Sequence, residues 1–292
     1  MFRGAITAIV TPFTKKGDLD EVALRKLVGF QIKNNIDGIV PCGTTGESPT
    51  LDYEEHDKVI EIVIDAAKGR VPVIAGTGSN SANEAIEMTK RAVDAGANAS
   101  LQVCPYYNKP TQEGLYRHFS AIAKAVDVPI IIYNIQGRTA VNMETSTLAR
   151  LAKEHSNIVG VKEASGNVAQ IMDVLKDLPK NFTVLSGDDN LAFALMALGG
   201  KGVISVASNI IPKEMHDLCE YALNGNFERA RKLHFELLPL FKGIFIETNP
   251  IPIKAALAMK GMIKESYRLP MCNMEPENKE KLRRILKGLK II

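Results

Sequence analysis

The sequence has no CxxC pair, no HExxH and no apolar run approaching the ~18 residues that a membrane span requires. Its four cysteines, Cys42, Cys104, Cys219 and Cys272, stand far apart. They read as reduced, mostly buried thiols and exclude a disulfide framework. The five histidines, His56, His118, His155, His216 and His234, are equally scattered and do not cluster with cysteine, so no metal centre is expected. An excess of one charge is missing too. The 36 Lys and Arg against 33 Asp and Glu leave a net +3, too mild and too evenly spread for nucleic acid or an anionic membrane. The N-terminus runs from Gly4–Val10 straight into Thr11-Pro12, too short and interrupted for a signal peptide, and a cytoplasmic protein is expected.

What is present is a beat. Short runs rich in Val and Ile alternate with longer amphipathic stretches. The runs predict strands over Ala5–Val10, Gly38–Pro41, Pro72–Ala75, Ala99–Val103, Pro129–Tyr133, Ile158–Lys162, Thr183–Ser186 and Gly202–Ser205. Helical patterns fill the gaps at Glu21–Asn34, Asp52–Lys68, Asn83–Ala95, Gln112–Ala125, Thr145–Glu154, Val168–Asp177 and Leu191–Leu198. Strands apolar on both faces, each followed by a helix, predict an α/β fold with a parallel sheet, and eight units in unbroken series favour a (β/α)8 TIM barrel. After the eighth strand the beat changes to helices alone: Pro212–Leu223, Phe227–Phe241, Ile251–Met259 and Asn278–Leu289. The expected organisation is a barrel over residues 1–224 and a C-terminal helical appendage over 225–292. The open-sheet alternative needs a dinucleotide fingerprint. Gly76-Thr77-Gly78 begins one, but Ser81 stands where the third glycine belongs.

In such a barrel the C-terminal strand ends share a cup in which the active site sits. The second strand ends in Pro41-Cys42-Gly43-Thr44-Thr45-Gly46-Glu47, the fourth runs into Pro105-Tyr106-Tyr107, the fifth ends at Tyr133 with Arg138 beyond it, and the sixth ends at Lys162. A lysine at the rim of a barrel interior is partly desolvated, which disfavours the ammonium, and a neutral amine attacks carbonyls. Alone, Lys162 reads equally as a strand-end lysine snorkelling to water. Tyr133 shares parity with Ile131 and points inward on the neighbouring strand, as a proton shuttle or as a core tyrosine. Gly43-Thr44-Thr45-Gly46 lets backbone and hydroxyls approach a carboxylate, or is a plain turn. Arg138 suits a bidentate carboxylate clamp or open solvent. Tyr106 and Tyr107 plug the cup or pack between subunits. Their coincidence at one end of one barrel favours a Schiff-base enzyme over any of the bland readings.

Together these residues resemble the dihydrodipicolinate synthase family of the N-acetylneuraminate lyase superfamily. The matching segments are Gly43–Ser48, Pro105–Pro110, Tyr133-Asn134 with Arg138-Thr139, Val161–Gly166, Ser186–Asp189 and Glu247–Pro250, within a similarity from Gly4 to about Lys264. The resemblance implies condensation of pyruvate with L-aspartate 4-semialdehyde on Lys162, with no metal or organic cofactor. It implies a proton relay of Tyr133, Thr44 and a Tyr107 lent by a neighbouring subunit. Thr45, with backbone at Gly187 and Ile204, would hold the pyruvate carboxylate, and Arg138 that of the aldehyde. A homotetramer, a dimer of dimers, is the implied assembly. Some members are inhibited by L-lysine, at a site matched here by Ser48, His56, Asn80, Glu84 and Tyr106; Pro49 and Tyr53 differ from the commonest sensitive pattern. Gln136 stands where the family usually has proline, which puts the placement of Arg138 at issue. Two rivals stand beside this reading: an aldolase of the same superfamily cleaving a sialic acid or 2-keto-3-deoxy sugar acid, and a catalytically silent barrel serving as a scaffold.

Overall fold

The computed structural model describes residues 2–292. Eight parallel strands, β1 (Gly4–Ala8), β2 (Gly38–Val40), β3 (Ile74–Gly76), β4 (Ala99–Val103), β5 (Ile130–Asn134), β6 (Ile158–Glu163), β7 (Thr183–Ser186) and β8 (Gly202–Ser205), bond in the order β2-β1-β8-β7-β6-β5-β4-β3. A parallel bridge between Ile39 and Val73 closes the ring, helped by the Gly76 N–H donating to the Pro41 carbonyl at 3.0 Å. The strands are short and buried on both faces, as a barrel wall between an inner core and outer helices requires. Inside, Ile6, Ile74, Leu101, Ile131, Leu185 and Ile204 form one packed cluster that floors the cup. Side chains fill the barrel, so ligands reach only its rim.

Seven helices follow the first seven strands in the expected places: α1 (Glu21–Lys33), α2 (Tyr53–Ala67), α3 (Ala82–Asp94), α4 (Gln112–Ala125), α6 (Thr145–Glu154), α7 (Val168–Asp177) and α8 (Asp189–Ala197). Five of them start at a side chain that takes up an orphan amide: Asp20, Asp52, Ser81, Thr111 and Asn167. In α2, Asp52 and Glu55 cap each other's backbone in a capping box. One element was not expected: a single-turn helix, α5 (Gln136–Thr139), stands in the loop after β5 and carries Arg138. At four residues it is too short to show a periodicity. A second local irregularity lies between β5 and β6, where the register steps from Ile130 opposite Ile158 to Ile131 opposite Gly160. This bulge leaves Tyr133 directly opposite Lys162, so both point into the cup.

The eighth barrel helix is α9 (Pro212–Leu223), followed by α10 (Phe227–Gly243), α11 (Ile251–Met259) and α12 (Pro276–Gly288). The boundary expected at 224–225 falls in the turn between α9 and α10. One hydrophobic cluster nevertheless runs across it, from Leu24 and Ile60 of α1 and α2 to Leu240, Leu257 and Leu282. The segment after α11 is also stitched to the barrel rim, because the Arg268 guanidinium donates to the carbonyls of Gly17 and Thr50, each at 2.9 Å. At the rim between β7 and β8, one Asp189 carboxylate oxygen accepts the N–H groups of Val206 and Ala207 at 3.0 and 2.9 Å.

Candidate active site

Lys162 and Tyr133 are only 6% and 5% exposed, yet each is the last inward-pointing residue of its strand. The Lys162 Nζ lies 3.9 Å from the centroid of the Tyr133 ring and makes no ion pair among the described residues. Its stem is crowded from the β7 side. A Cβ added to Gly187 would sit 2.5 Å from the Ala164 Cβ and 3.1 Å from the Lys162 Cε, so only glycine lets that loop close over the lysine. The Gly187 N–H donates to the Glu163 carbonyl at 2.7 Å. The Gly187 N–H is thereby engaged, so the backbone donor expected there for a carboxylate is already committed. Ile204 is fully buried in the floor beneath. On the loop beyond, burial raises the carboxyl pKa of half-buried Asp188 and the Lys162 charge pulls it partly back.

The threonine loop faces this pair as a short 3-10 turn, Thr44–Gly46. Thr45 is buried and its hydroxyl oxygen accepts from the Asn249 side-chain amide at 3.0 Å. The Asn249 carbonyl in turn accepts from the Arg138 guanidinium at 3.1 Å. Thr45 and Arg138, from opposite sides of the cup, thus share one support that sequence reasoning assigned no role. Its only signal was its place in Glu247–Pro250. Gln136 is the first residue of α5, a position whose N–H needs no helical partner, so proline and glutamine both suit it. Thr44, Tyr133 and Arg138 line a single cavity of about 540 Å³. A hydroxyl, a phenol and a guanidinium on one cavity wall, with an amine against the ring of that phenol, can bind a keto acid and move its protons.

Residues 1–289 match the model of the dihydrodipicolinate synthetase family. The chain belongs to that family. It is 56% identical to 4-hydroxy-tetrahydrodipicolinate synthase of Hydrogenobaculum sp. (strain Y04AAS1) over the whole of both chains. Among solved structures it superposes on the chloride-inhibited dihydrodipicolinate synthase of Acinetobacter baumannii complexed with pyruvate, with TM-score 0.98, 47% identity and full coverage of both chains. The lysine-bound enzyme of Cyanidioschyzon merolae gives TM-score 0.97 at 41% identity, covering 100% of this chain and 99% of that one.

In this dihydrodipicolinate synthetase family member the cavity continues past the threonine loop to Ser48, His56, Glu84 and Tyr106, four of the five residues matched to a lysine site. The fifth, Asn80, is not part of the lining but donates from its amide to the Tyr106 carbonyl at 3.1 Å. Glu84 is already engaged. Its carboxylate accepts from the Ser79 hydroxyl at 2.7 Å and from the Tyr53 phenol, whose pKa the bond raises. The His56 Nε2 lies 2.9 Å from the Gly76 carbonyl, which can only accept, so that nitrogen carries the proton in the neutral ring. The Nδ1 is then a bare acceptor with no partner, and burial lowers the pKa of the ring. Tyr107 does not join the cup of its own chain: it stands 90% exposed, with φ at +71°, outside the cavity wall.

Proposed function

We propose that this chain condenses pyruvate with L-aspartate 4-semialdehyde through a Schiff base on Lys162, giving 4-hydroxy-tetrahydrodipicolinate on the route to lysine and diaminopimelate. The observation that carries the reading is a buried lysine that makes no ion pair and lies against the ring of Tyr133, which lines a cavity together with Thr44 and Arg138. The Lys162 amine adds to the pyruvate ketone and water leaves as the iminium forms. Loss of a methyl proton gives the enamine, whose carbon adds to the aldehyde while the new alkoxide takes up a proton. The substrate amino group then attacks the iminium carbon and expels Lys162 as a free amine, closing the ring. Tyr133 and Thr44 carry the protons, Thr45 takes the pyruvate carboxylate, and Arg138 takes that of the aldehyde. The carboxylate clamp favours the semialdehyde over a polyhydroxy substrate, which calls for hydroxyl partners instead. Borohydride reduction with pyruvate should fix the keto acid on the peptide containing Lys162, and turnover with aspartate semialdehyde should exceed that with glyceraldehyde or N-acetylmannosamine. An unmodified peptide ends the reading.

The exposed Tyr107 supports a relay completed by a second copy of the chain. A tetramer is supported by apolar side chains left exposed on α7, at the end of α8 and on α10: Val168, Met172, Leu198, Phe227 and Phe235. Mixing two damaged chains, Y107F and K162A, should give more activity than their average, because a mixed pair contains one site with both wild-type residues. A mixture that performs as the average refutes the shared site. For L-lysine, Glu84 is the ammonium partner and His56 a second contact. Titration should lower activity, with E84A abolishing the response, and no effect at millimolar lysine dismisses the effector. Buried free thiols at Cys42, Cys104 and Cys219 favour a cytoplasmic setting.

A further inference from the structure

The chain buries a second lysine, and its partner lies in the threonine loop. Lys254 on α11 has no exposed surface, and its ammonium is paired with the equally buried carboxylate of Glu47, two residues beyond Thr45. The ammonium also faces the rings of Phe13 and Tyr267, with centroids 4.4 and 5.3 Å away. Glu47 caps the 3-10 turn in a left-handed conformation, φ +54°, that a non-glycine residue adopts only when its surroundings hold it there. Its second carboxylate oxygen has no partner. A well-packed apolar pair of similar volume generally stabilises a protein as much as a buried ion pair or more. Stability alone therefore gives little reason for two charges here.

Geometry supplies one. The loop is gripped at two points by one segment of chain: Asn249 donates to Thr45, and Lys254 holds Glu47. From the other side the Thr11 hydroxyl donates to the Gly46 carbonyl at 2.6 Å, so the two contacts from the C-terminal segment set the tilt of a turn already anchored to the barrel. The same segment receives Arg138 on the Asn249 carbonyl. We propose that Lys254 and Glu47 are positioning residues, a buried clamp through which the C-terminal helices set the threonine loop for the pyruvate carboxylate. This deepens the reading of the site given above and rests on it. The clamp acts on binding of the keto acid more than on the chemistry at Lys162.

The test is the E47Q/K254M double variant, which removes both charges and leaves neither stranded. Its KM for pyruvate should rise about tenfold, as loss of one oriented hydrogen bond implies, with a fall in kcat several times smaller. Its Tm should stay within about 4 °C of the parent. A double variant that binds pyruvate as the wild type does overturns the proposal, whatever its Tm, and so does a fall in kcat at unchanged KM. If the double variant does not fold, E47D decides. It keeps both charges and shortens only the reach of the clamp, so KM should rise about two- to threefold, and an unchanged KM overturns the clamp. Wild type that forms no borohydride-trapped pyruvate adduct overturns both the clamp and the functional reading, whereas a normal adduct with a clamp-insensitive KM defeats the clamp alone.

Discussion

Two lysines are buried in this chain, and they are opposites. Lys254 sits in a closed apolar shell against a carboxylate, with the Phe13 and Tyr267 rings beside it. Lys162 is almost as deeply buried but makes no ion pair, and its amine lies on the ring face of the cavity-lining Tyr133. Burial opposes the charge on any lysine; a carboxylate within bonding distance restores it and fixes the side chain in place. Burial alone therefore does not make a nucleophile. The Schiff base proposed at Lys162 needs an amine with no carboxylate bonded to it, whereas the paired Lys254 suits a group that only positions its loop.

The sharpest way to break this contrast is to remove each amine. Lys162→Ala should lower kcat/KM by at least about 10⁴-fold, since no other group supplies the covalent step, while leaving Tm nearly unchanged. Lys254→Met should do the reverse to stability: an uncompensated Glu47 carboxylate costs roughly 3–5 kcal/mol, read as a large fall in Tm. If the two variants exchange these signatures, the roles are assigned the wrong way round. Tyr133→Phe follows in size. It keeps the ring under the amine and removes only the hydroxyl, so kcat should fall by about 10²-fold with stability retained, as for loss of a proton-transfer group. A kcat within twofold of wild type removes Tyr133 from the relay.

The contrast also measures what the sequence could reveal. Lys162 was legible because it closes a strand whose parity puts it inside, beside a strand whose last inward residue is a tyrosine. The barrel beat is likewise written in alternating apolar runs. Arg138 was legible as a residue, but the single helical turn that carries it was not. Lys254 escaped although its context held a clue. Ile251–Met259 is apolar on every side, and such a helix is buried, so a lone lysine within it must find a buried partner. Which partner cannot be read locally, because Glu47 and Asn249 reach this site through contacts spanning some two hundred positions of chain. The same limit hid the commitment of the Gly187 N–H to Glu163, which depends on how two adjacent strand ends meet.

A smaller effect probes the wall that keeps Lys162 pressed to its tyrosine. Gly187→Ala places a methyl group against Ala164 and the lysine stem. Overpacking of this kind displaces side chains. The rate of pyruvate adduct formation should fall by about tenfold, because misplacement of a reacting group by a fraction of an ångström costs that much. A normal rate would mean that the loop has room to yield and does not hold the amine.

His118 gives the mildest test, of whether a half-buried base with one partnerless nitrogen behaves as burial predicts when no substrate is involved. Its Nε2 is buried without a hydrogen-bond partner, and burial pushes its pKa down to about 4 from an ordinary 6.5. Between those values the unfolded chain binds the proton that the folded chain refuses, so this group's share of stability is complete above pH 6.5 and is lost as pH falls toward 4. Asp189 works against it. Its carboxyl is pushed up to about 6 by burial, so the folded state takes up a proton first and gains relative stability on acidification. The wild-type Tm therefore blends two opposing slopes, and the difference between His118→Asn and wild type isolates one of them. That difference should shift in favour of the variant by roughly 3 °C as pH is lowered from 7 to 4. A difference that stays constant over this range would show that the ring is hydrated or partnered in solution.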